Sequence, residues 1–169
     1  MSDVHQSDSA VIRRRGPGDS PGILLWRAAN AWQRQVRGVI KSQGLTQAQF
    51  VLLLGLSDLE RRPAVRAMAI TQQALAKYCG IDTTMASQVL RQLEAAGYLR
   101  RAPGVDARSR ALHLSASGRR AIDEIAPAVG AADAKYFAAL GENAEMFKAA
   151  LQVLIGLPPR LGAPRRSKG

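Results

Sequence analysis

The fold of this chain is decided by the stretch TQQALAKYCGIDTTMASQVLRQLEAAG, residues 71–97. Thr71 and Asp82 carry short oxygen-bearing side chains that commonly cap the first turn of a helix. Gly80 and Gly97 stand where a helix commonly ends, because glycine accepts the left-handed conformation of a helix C-terminus. The stretch therefore predicts a short helix, a tight turn and a second helix.

A hairpin is predicted directly afterwards, in the stretch YLRRAPGVDARSRALHLSASG, residues 98–118. Its ends, 98–101 and 110–114, favour short extended runs, and Pro103-Gly104 between them is a strong turn signal. A pair of helices followed by an arginine-tipped hairpin is an arrangement that can read a DNA duplex.

The second helix of the pair offers a polar face for that purpose. In a helix-turn-helix this helix lies in the major groove, and its N-terminal residues reach the base edges. We expect Met85, Val89 and Leu93 to pack inward. The side chains expected to face outward are then Thr83, Thr84, Ser87, Gln88 and Arg91. Hydroxyls can donate to phosphates, while Gln suits adenine and Arg suits guanine. For the helix alone, an ordinary amphipathic helix with a solvated face explains the pattern equally well.

The arginines of the hairpin favour the DNA interpretation. Arg108 and Arg110 lie near the expected tip, where packing gives no reason for so much charge. Arginine in a narrow minor groove meets an enhanced negative potential. Asp106 could hold the Arg108 side chain in one rotamer by a charge-assisted hydrogen bond. The alternative is a solvated hairpin whose charges serve only solubility.

Composition agrees with a polyanionic partner without establishing one. The 169 residues include 24 Lys or Arg against 13 Asp or Glu, a net charge of +11. Seven arginines and only two acidic residues lie within residues 91–120. Phosphate contacts release condensed counterions, so such an excess favours nucleic acid. Low aromatic content, 5%, with abundant Ala and Leu favours helix packing over a β-sandwich.

Apolar residues at helical spacing predict further helices on both sides of this segment. Ser20 is expected to cap the first, and Thr46 with Gln49 forms a capping box for the next. The charged run 58–66 is expected to be a loop, and residues 67–70 a short strand.

The predicted plan has an arm, one domain and a tail. We expect a flexible arm over residues 1–20, a single domain over 21–157 and a basic tail over 158–169. The domain is mostly α with a small β-wing. Its winged helix-turn-helix covers about residues 45–115, and helices at about 21–43 and 116–157 form a helical lobe from both chain ends.

These motifs resemble the MarR family of bacterial winged helix-turn-helix transcriptional regulators. The resemblance covers about residues 21–157 and is most specific in GYLRR, residues 97–101, and DARSRALHLSASG, residues 106–118. The second motif is similar to the family's wing signature, an Asp-x-Arg-Ser/Arg pattern running into Leu-x-Leu-Thr-x-x-Gly. Ser115 stands where threonine is usual, a change that preserves a helix cap.

The resemblance implies a homodimer, in which the first and last helices of two copies intertwine and each copy presents one winged lobe to double-stranded DNA. It assigns the five outward residues of the second helix to base reading, and makes Arg108 the wing arginine with Asp106 as its orienting partner. We expect a cytoplasmic, ligand-responsive repressor that binds a palindromic operator. An architectural DNA-binding protein with little sequence preference is the alternative.

A ligand site is also implied by the resemblance, since the family commonly binds small aromatic or phenolic anions in a crevice between its lobes. Trp26, Asn30 and Arg34 follow at spacings of four and could supply an aromatic wall, an amide and a cation. Phe50 could complete the pocket. The simpler interpretation places the aromatic side chains in packing and leaves Arg34 solvated.

Other function classes find little support in the sequence. It has no glycine-rich phosphate loop, no G-x-S-x-G elbow and no nuclease-like carboxylate cluster, so we expect neither an enzyme nor a cofactor. Cys79 is expected to be a small buried hydrophobe rather than a redox sensor. His5 and His113 lack the companions that a zinc site needs. No apolar run reaches the roughly 18 residues of a membrane span, so no membrane partner is expected.

Overall fold

The computed structural model describes residues 17–63, 69–103 and 110–158. The helices are α1 Pro21–Lys41, α2 Gln47–Arg61, α3 Gln72–Cys79, α4 Thr83–Ala95, α5 Ala116–Phe137 and α6 Ala144–Leu154. Strands β1 Leu99–Pro103 and β2 Arg110–Leu114 pair antiparallel. Short 3-10 helices, Pro17–Asp19 and Ala138–Asn143, precede α1 and connect α5 to α6. The predicted fold class, mostly α with a small β-wing, is confirmed.

The helices begin at the predicted caps because each capping side chain accepts a hydrogen bond from a backbone N–H of the first turn. This holds for Ser20, Thr46, Thr71, Asp82 and Ser115. The capping box of Thr46 and Gln49 is complete. Helices α3 and α4 end at glycines with φ of 65° and 77°, as predicted for Gly80 and Gly97.

Helix α2 is longer than the sequence predicted, so the expected loop over 58–66 is wrong at its start. Residues 58–61 form the last turn of α2, and Arg62 follows as its C-cap. The polar side chains suit a helix because they contact one another one turn apart: Arg62 forms an ion pair with Asp58 at 2.7 Å, and Arg61 donates to the Ser57 hydroxyl at 3.0 Å. Residues 64–68 lie outside the described ranges.

The short strand expected over residues 67–70 is not formed by its described part. Residues 69–70 have no strand assignment. Ile70 nevertheless accepts a backbone hydrogen bond from Leu112 of β2 at 2.8 Å. One backbone contact therefore ties the segment before α3 to the wing.

One apolar core joins the winged-helix elements to the flanking helices. Its most buried large side chains are Val36, Ile40, Leu52, Leu53, Leu56, Leu75, Leu90, Leu93, Leu112, Ile122 and Ile125. Helix α1 enters this core near its C-terminus and α5 near its N-terminus. Two hydrogen bonds join the same helices farther from the core. Trp32 Nε1 donates to Asp133 Oδ1 at 2.6 Å, and the Tyr136 hydroxyl donates to the Ala28 carbonyl at 2.9 Å.

Gly118 allows α5 to begin directly against the base of the wing. A β-carbon at Gly118 would lie only 2.0 Å from the carbonyl oxygen of Tyr98. The hydroxyls of Ser115 and Ser117 donate to the Gly97 carbonyl at 2.6 and 2.7 Å. Here the backbone of α5 lies against the backbone that follows α4, which explains physically why the motif ends in glycine.

Replacing Gly118 by alanine is therefore expected to lower the free energy of unfolding by about 1–3 kcal/mol, because a backbone oxygen must move. Urea denaturation followed by circular dichroism measures the change. Gly130→Ala, in the same helix, is the matched control, since a β-carbon there meets nothing within 4 Å. It should leave the free energy unchanged or raise it by about 0.5–1 kcal/mol. Equal losses in both variants would contradict the backbone contact.

Candidate nucleic-acid interface

Helix α4 presents the predicted reading residues on its accessible side. Four of them, Thr83, Thr84, Gln88 and Arg91, are exposed, and Ser87 is half-buried. Asp82 caps the N-terminus of the helix, because its carboxylate accepts hydrogen bonds from the Thr84 and Met85 N–H groups at 2.9 and 3.1 Å. These polar side chains therefore lie together at the N-terminal part of a well-capped helix.

The predicted packing face of α4 was wrong in part. Leu93 is buried as expected, but Val89 is half-buried and Met85 is 49% exposed. Ala86 and Leu90 are fully buried instead. Ala86 carries little hydrophobic signal in a sequence, although a small side chain lets α4 approach the core closely.

Arg101 connects three elements of the winged helix-turn-helix: β1, α3 and α4. Its Nε donates to Glu94 Oε2 of α4 at 2.9 Å, and its terminal nitrogens donate to Gln72 Oε1 of α3 at 3.3 and 3.4 Å. Only 16% of the Arg101 side chain is exposed. The charge of Arg101 therefore holds β1, α3 and α4 together. In the sequence alone, Arg101 could not be told apart from the exposed arginines around it.

A carboxylate in the last turn of α2 fixes the base of the wing. Glu60 Oε1 accepts from the Leu114 N–H at 3.1 Å, and Oε2 lies 2.8 Å from Arg119 Nη1 of α5 without the alignment of a hydrogen bond. His113 Nδ1 lies 3.6 Å from the same group. Glu60 is 12% exposed, and a buried carboxylate needs such partners. It thereby joins α2, β2 and α5, a role that the sequence did not reveal.

The wing is described only at its base. Arg108, the predicted wing arginine, and Asp106, its predicted orienting partner, lie outside the described residues. Arg110 begins β2, is exposed and stands opposite Pro103. His113 faces partly outward between buried Leu112 and Leu114, as predicted.

The four predicted ligand residues have different surroundings. Phe50 is 3% exposed within the core, whereas Trp26 is 66% exposed on α1. Asn30 Nδ2 donates to the Trp26 carbonyl at 2.8 Å, and Arg34 is exposed. Phe50 thus faces the core while Trp26 faces outward.

Two cavities beside α3 were not predicted. One, of about 380 Å³, lies between α2 and α3 and is lined by Val51, Leu54, Gly55, Asp58, Arg61, Tyr78 and Cys79. The other, of about 700 Å³, lies between α3 and the end of α6; Lys77, Tyr78, Ile155 and Leu157 are among its lining residues.

Asp58, Arg62 and Tyr78 form a polar cluster at the first cavity. Asp58 accepts from the Tyr78 hydroxyl and from Arg62, whose guanidinium lies 5.0 Å from the Tyr78 ring centroid. The hydrogen bond from Tyr78 and the charge of Arg62 lower the pKa of Asp58. Burial, together with the Asp58 carboxylate, raises the pKa of Tyr78.

Cys79 is half-buried beside α2. Its Sγ lies 3.6 Å from the Val51 carbonyl, and burial raises the pKa of the thiol to about 11. Among the described residues, no group of three or more His, Cys, Asp or Glu is placed to hold a metal ion. No helix within the same ranges is long and apolar enough to cross a membrane.

Comparison with known proteins identifies the family. A model described as MarR family matches residues 43–109. The helix-turn-helix-type transcriptional regulator YdcH of Bacillus subtilis is 34% identical over 141 residues, which cover 83% of this chain and 92% of YdcH. The chain belongs to the MarR family of transcriptional regulators. The predicted resemblance is confirmed, and α3, α4 and the β-hairpin are the winged helix-turn-helix of a MarR regulator.

Solved structures of MarR proteins agree. The Mycobacterium tuberculosis MarR family protein Rv2887, in complex with salicylic acid, is 31% identical with a TM-score of 0.62, covering 80% of this chain and 97% of that protein. Its complex with DNA is 28% identical with a TM-score of 0.59, covering 80% and 98%. A MarR regulator from Rhodococcus shares the fold at 21% identity, with a TM-score of 0.72 over 84% and 96% of the two chains.

The raised pKa of Cys79 predicts a thiol that reacts slowly in the folded protein, because the thiolate is the nucleophile. Alkylation by iodoacetamide at neutral pH should be slow in the native state and fast in denaturant. The unfolded chain ionises this thiol from its ordinary pKa of 9.0, so the free energy of unfolding should fall as pH rises from 9.0 towards 11. Fast native labelling, or peroxide-dependent DNA release that Cys79→Ala abolishes, would contradict this assignment.

Proposed function

We propose that this MarR regulator is a repressor that binds a palindromic DNA operator as a homodimer. The observation that carries the proposal is the outward face of α4. Its residues offer hydroxyl, amide and guanidinium groups, and none of these side chains is held by another in the described part of the chain. Such groups match the donors and acceptors of base edges in the major groove.

Rigid support of α4 favours sequence-specific reading over architectural binding. Asp82 caps its start, while Arg101 ties its last turn to β1 and α3. A helix held at both ends presents its side chains in fixed positions, so little ordering entropy is lost when it meets a matching sequence. We also propose that the protein acts in the cytoplasm, where it meets DNA, and that it has no enzymatic activity.

Exposed apolar side chains on the terminal helices support the homodimer. Among the described residues, they lie at the start of α1, along α6 and just after its end: Ile23, Leu24, Leu25, Trp26, Met146, Val153, Leu154, Ile155 and Leu157. A cavity of about 440 Å³ separates the two helices and is lined by Leu24, Leu25, Phe147 and Leu154 among others. Large apolar patches of this kind mark interfaces. A second copy would cover them and set two α4 helices roughly 34–36 Å apart, one helical turn of DNA.

Selection of bound sequences from a random duplex pool tests the proposed function. We expect enrichment of a palindrome with half-sites about one helical turn apart. A pool that shows no enrichment, despite binding, would instead support an architectural protein whose basic arm and tail dominate. Incubation of the same DNA with the protein and a divalent metal checks for cleavage.

Single substitutions should separate base reading from phosphate binding. Gln88→Ala and Arg91→Ala are expected to change base preference at particular operator positions by about 1–3 kcal/mol each. Arg108→Ala should weaken binding to all sequences and make the salt dependence shallower by about one phosphate contact. Fluorescence anisotropy over a salt series measures both effects.

Arg37→Ala is the matched control for these variants, since Arg37 is an exposed arginine of α1 outside the winged helix. It should change neither base preference nor salt slope. Unaltered base preference in both α4 variants would remove Gln88 and Arg91 from the proposed reading residues.

The homodimer is tested by placing a charge in its proposed apolar surface. Leu154 is 71% exposed in the single chain, so Leu154→Glu should fold normally yet lose the dimer, because the new carboxylate would be buried without a partner. Sedimentation velocity measures the oligomeric state. Gln73→Glu makes the same charge change at an exposed position of α3 and should leave the dimer intact. A dimeric Leu154→Glu protein would refute this interface.

We further propose that binding of a small aromatic anion releases the protein from DNA. The 31% identical Rv2887 binds salicylic acid in its crystal structure, which supports this class of ligand. Trp26, Asn30 and Arg34 remain the proposed contacts on α1, and Phe50, which is buried in the core, remains proposed with them. The cavity of about 700 Å³, which has Lys77 and Tyr78 in its lining, is a second location. To release DNA, the ligand must bind better to a dimer whose two α4 helices do not match the half-site spacing than to the DNA-bound dimer.

Salicylate titration of the protein–operator complex should therefore release DNA, and two variants distinguish the locations. Arg34→Ala weakens the ligand response about tenfold if the α1 surface binds the carboxylate, whereas Lys77→Ala does so if the cavity does. Each variant serves as the control for the other. Release of DNA that is unchanged in both would reject both locations, and no release would reject salicylate as an effector.

A further inference from the structure

Met85 is an exposed apolar side chain on the helix that carries the reading residues. It is 49% exposed, and its N–H is hydrogen-bonded to the Asp82 carboxylate in the first turn of α4. Most other large apolar side chains exposed in the described ranges lie on the terminal helices, where a second copy would cover them. Leu54 and Tyr78 line the cavity between α2 and α3. Met85 belongs to neither group, so neither the dimer nor that cavity explains its exposure.

The helical geometry places Met85 among the reading side chains. Residues three apart are neighbours on a helix surface, so Met85 lies beside Gln88. Thr84 precedes it in the same turn and is exposed. The buried stripe of Ala86 and Leu90 faces the core on another side. A helix that enters the major groove with Thr84 and Gln88 therefore brings the Met85 side chain to the base edges as well.

The chemistry of the groove selects what Met85 can contact. Its thioether has no hydrogen to donate to a phosphate or to a base acceptor. The 5-methyl group of thymine is the apolar feature that the bases display in the major groove. An unbranched, flexible side chain can adapt to a methyl group whose position varies slightly. Contact between them would remove apolar surface from water on both sides.

We propose that Met85 contacts the 5-methyl group of a thymine in each operator half-site and thereby specifies thymine at that position. This inference rests on the proposed operator binding and adds an apolar reader to the polar residues of α4. It also predicts that the base opposite Met85 is distinguished by its methyl group, whereas Gln88 and Arg91 act through hydrogen bonds.

Uracil substitution tests the contact, because uracil keeps the base pair and lacks the methyl group. Each thymine of the selected operator is replaced singly by uracil, and the dissociation constant is measured for the wild type and for Met85→Gln. At one thymine per half-site, wild-type affinity should fall about fourfold, the factor expected for loss of about one buried methyl group. Met85→Gln should bind both duplexes equally well.

Met85→Gln and Met85→Leu are matched variants that should differ in DNA contact and not in stability. Met, Gln and Leu have similar helix propensities, and Met85 is exposed, so both variants should retain the wild-type unfolding midpoint. Met85→Leu should keep the preference for thymine over uracil. Replacing the same thymine by cytosine and by 5-methylcytosine provides a second measurement, in which the wild type should prefer the methylated base.

The outcomes are distinct. An operator whose thymines all tolerate uracil would overturn the Met85 contact and leave the proposed function standing. Equal uracil sensitivity in the wild type and in Met85→Gln would also overturn it and point to the methyl groups of Thr83 or Thr84. Failure to select any operator would overturn the proposed function and the Met85 contact with it.

Discussion

The packing of one side of α4 against α2 and α3 is the constraint on which the rest of the interface depends. Ala86, Leu90 and Leu93 are completely buried, and burial of each leucine contributes about 1.5–3 kcal/mol. Because a helix has one periodicity, the residues that enter the core also decide which residues remain outside. The small side chain of Ala86 permits close approach, and this turns Met85 outward beside Gln88.

Polar contacts then hold α4 and the wing in a fixed relation. Arg101 joins α3, α4 and β1, while Glu60 joins α2, β2 and α5. Both side chains are mostly buried, so removing a partner would leave a charge unsatisfied, which costs more than an exposed ion pair contributes. The basic character of this region therefore has two origins: structural charge at Arg101, and solvent-facing charge at positions such as Arg91 and Arg110.

The terminal helices extend this rigid lobe into a surface that a single chain leaves uncovered. Ile122 and Ile125 of α5 share the core of the winged helix, so α5 packs directly against it. Apolar side chains at the start of α1 and along α6 remain exposed. Under the proposed homodimer, packing of these surfaces sets the distance between two copies of α4. A ligand that changes that packing would act on operator binding without touching a base-reading residue.

The sequence by itself determined the order of elements, the caps and the family motif. Each cap depends on residues within one helical turn, and the motif is a pattern within one short stretch of the chain. It placed helix starts at Ser20 and Asp82 and the hairpin after Gly97, and the structure agrees. Only the tertiary structure decided which face of α4 is buried, why Gly118 must lack a side chain and that Glu60 anchors the wing. These features depend on contacts between elements distant in the chain, where the space available to a side chain outweighs its type.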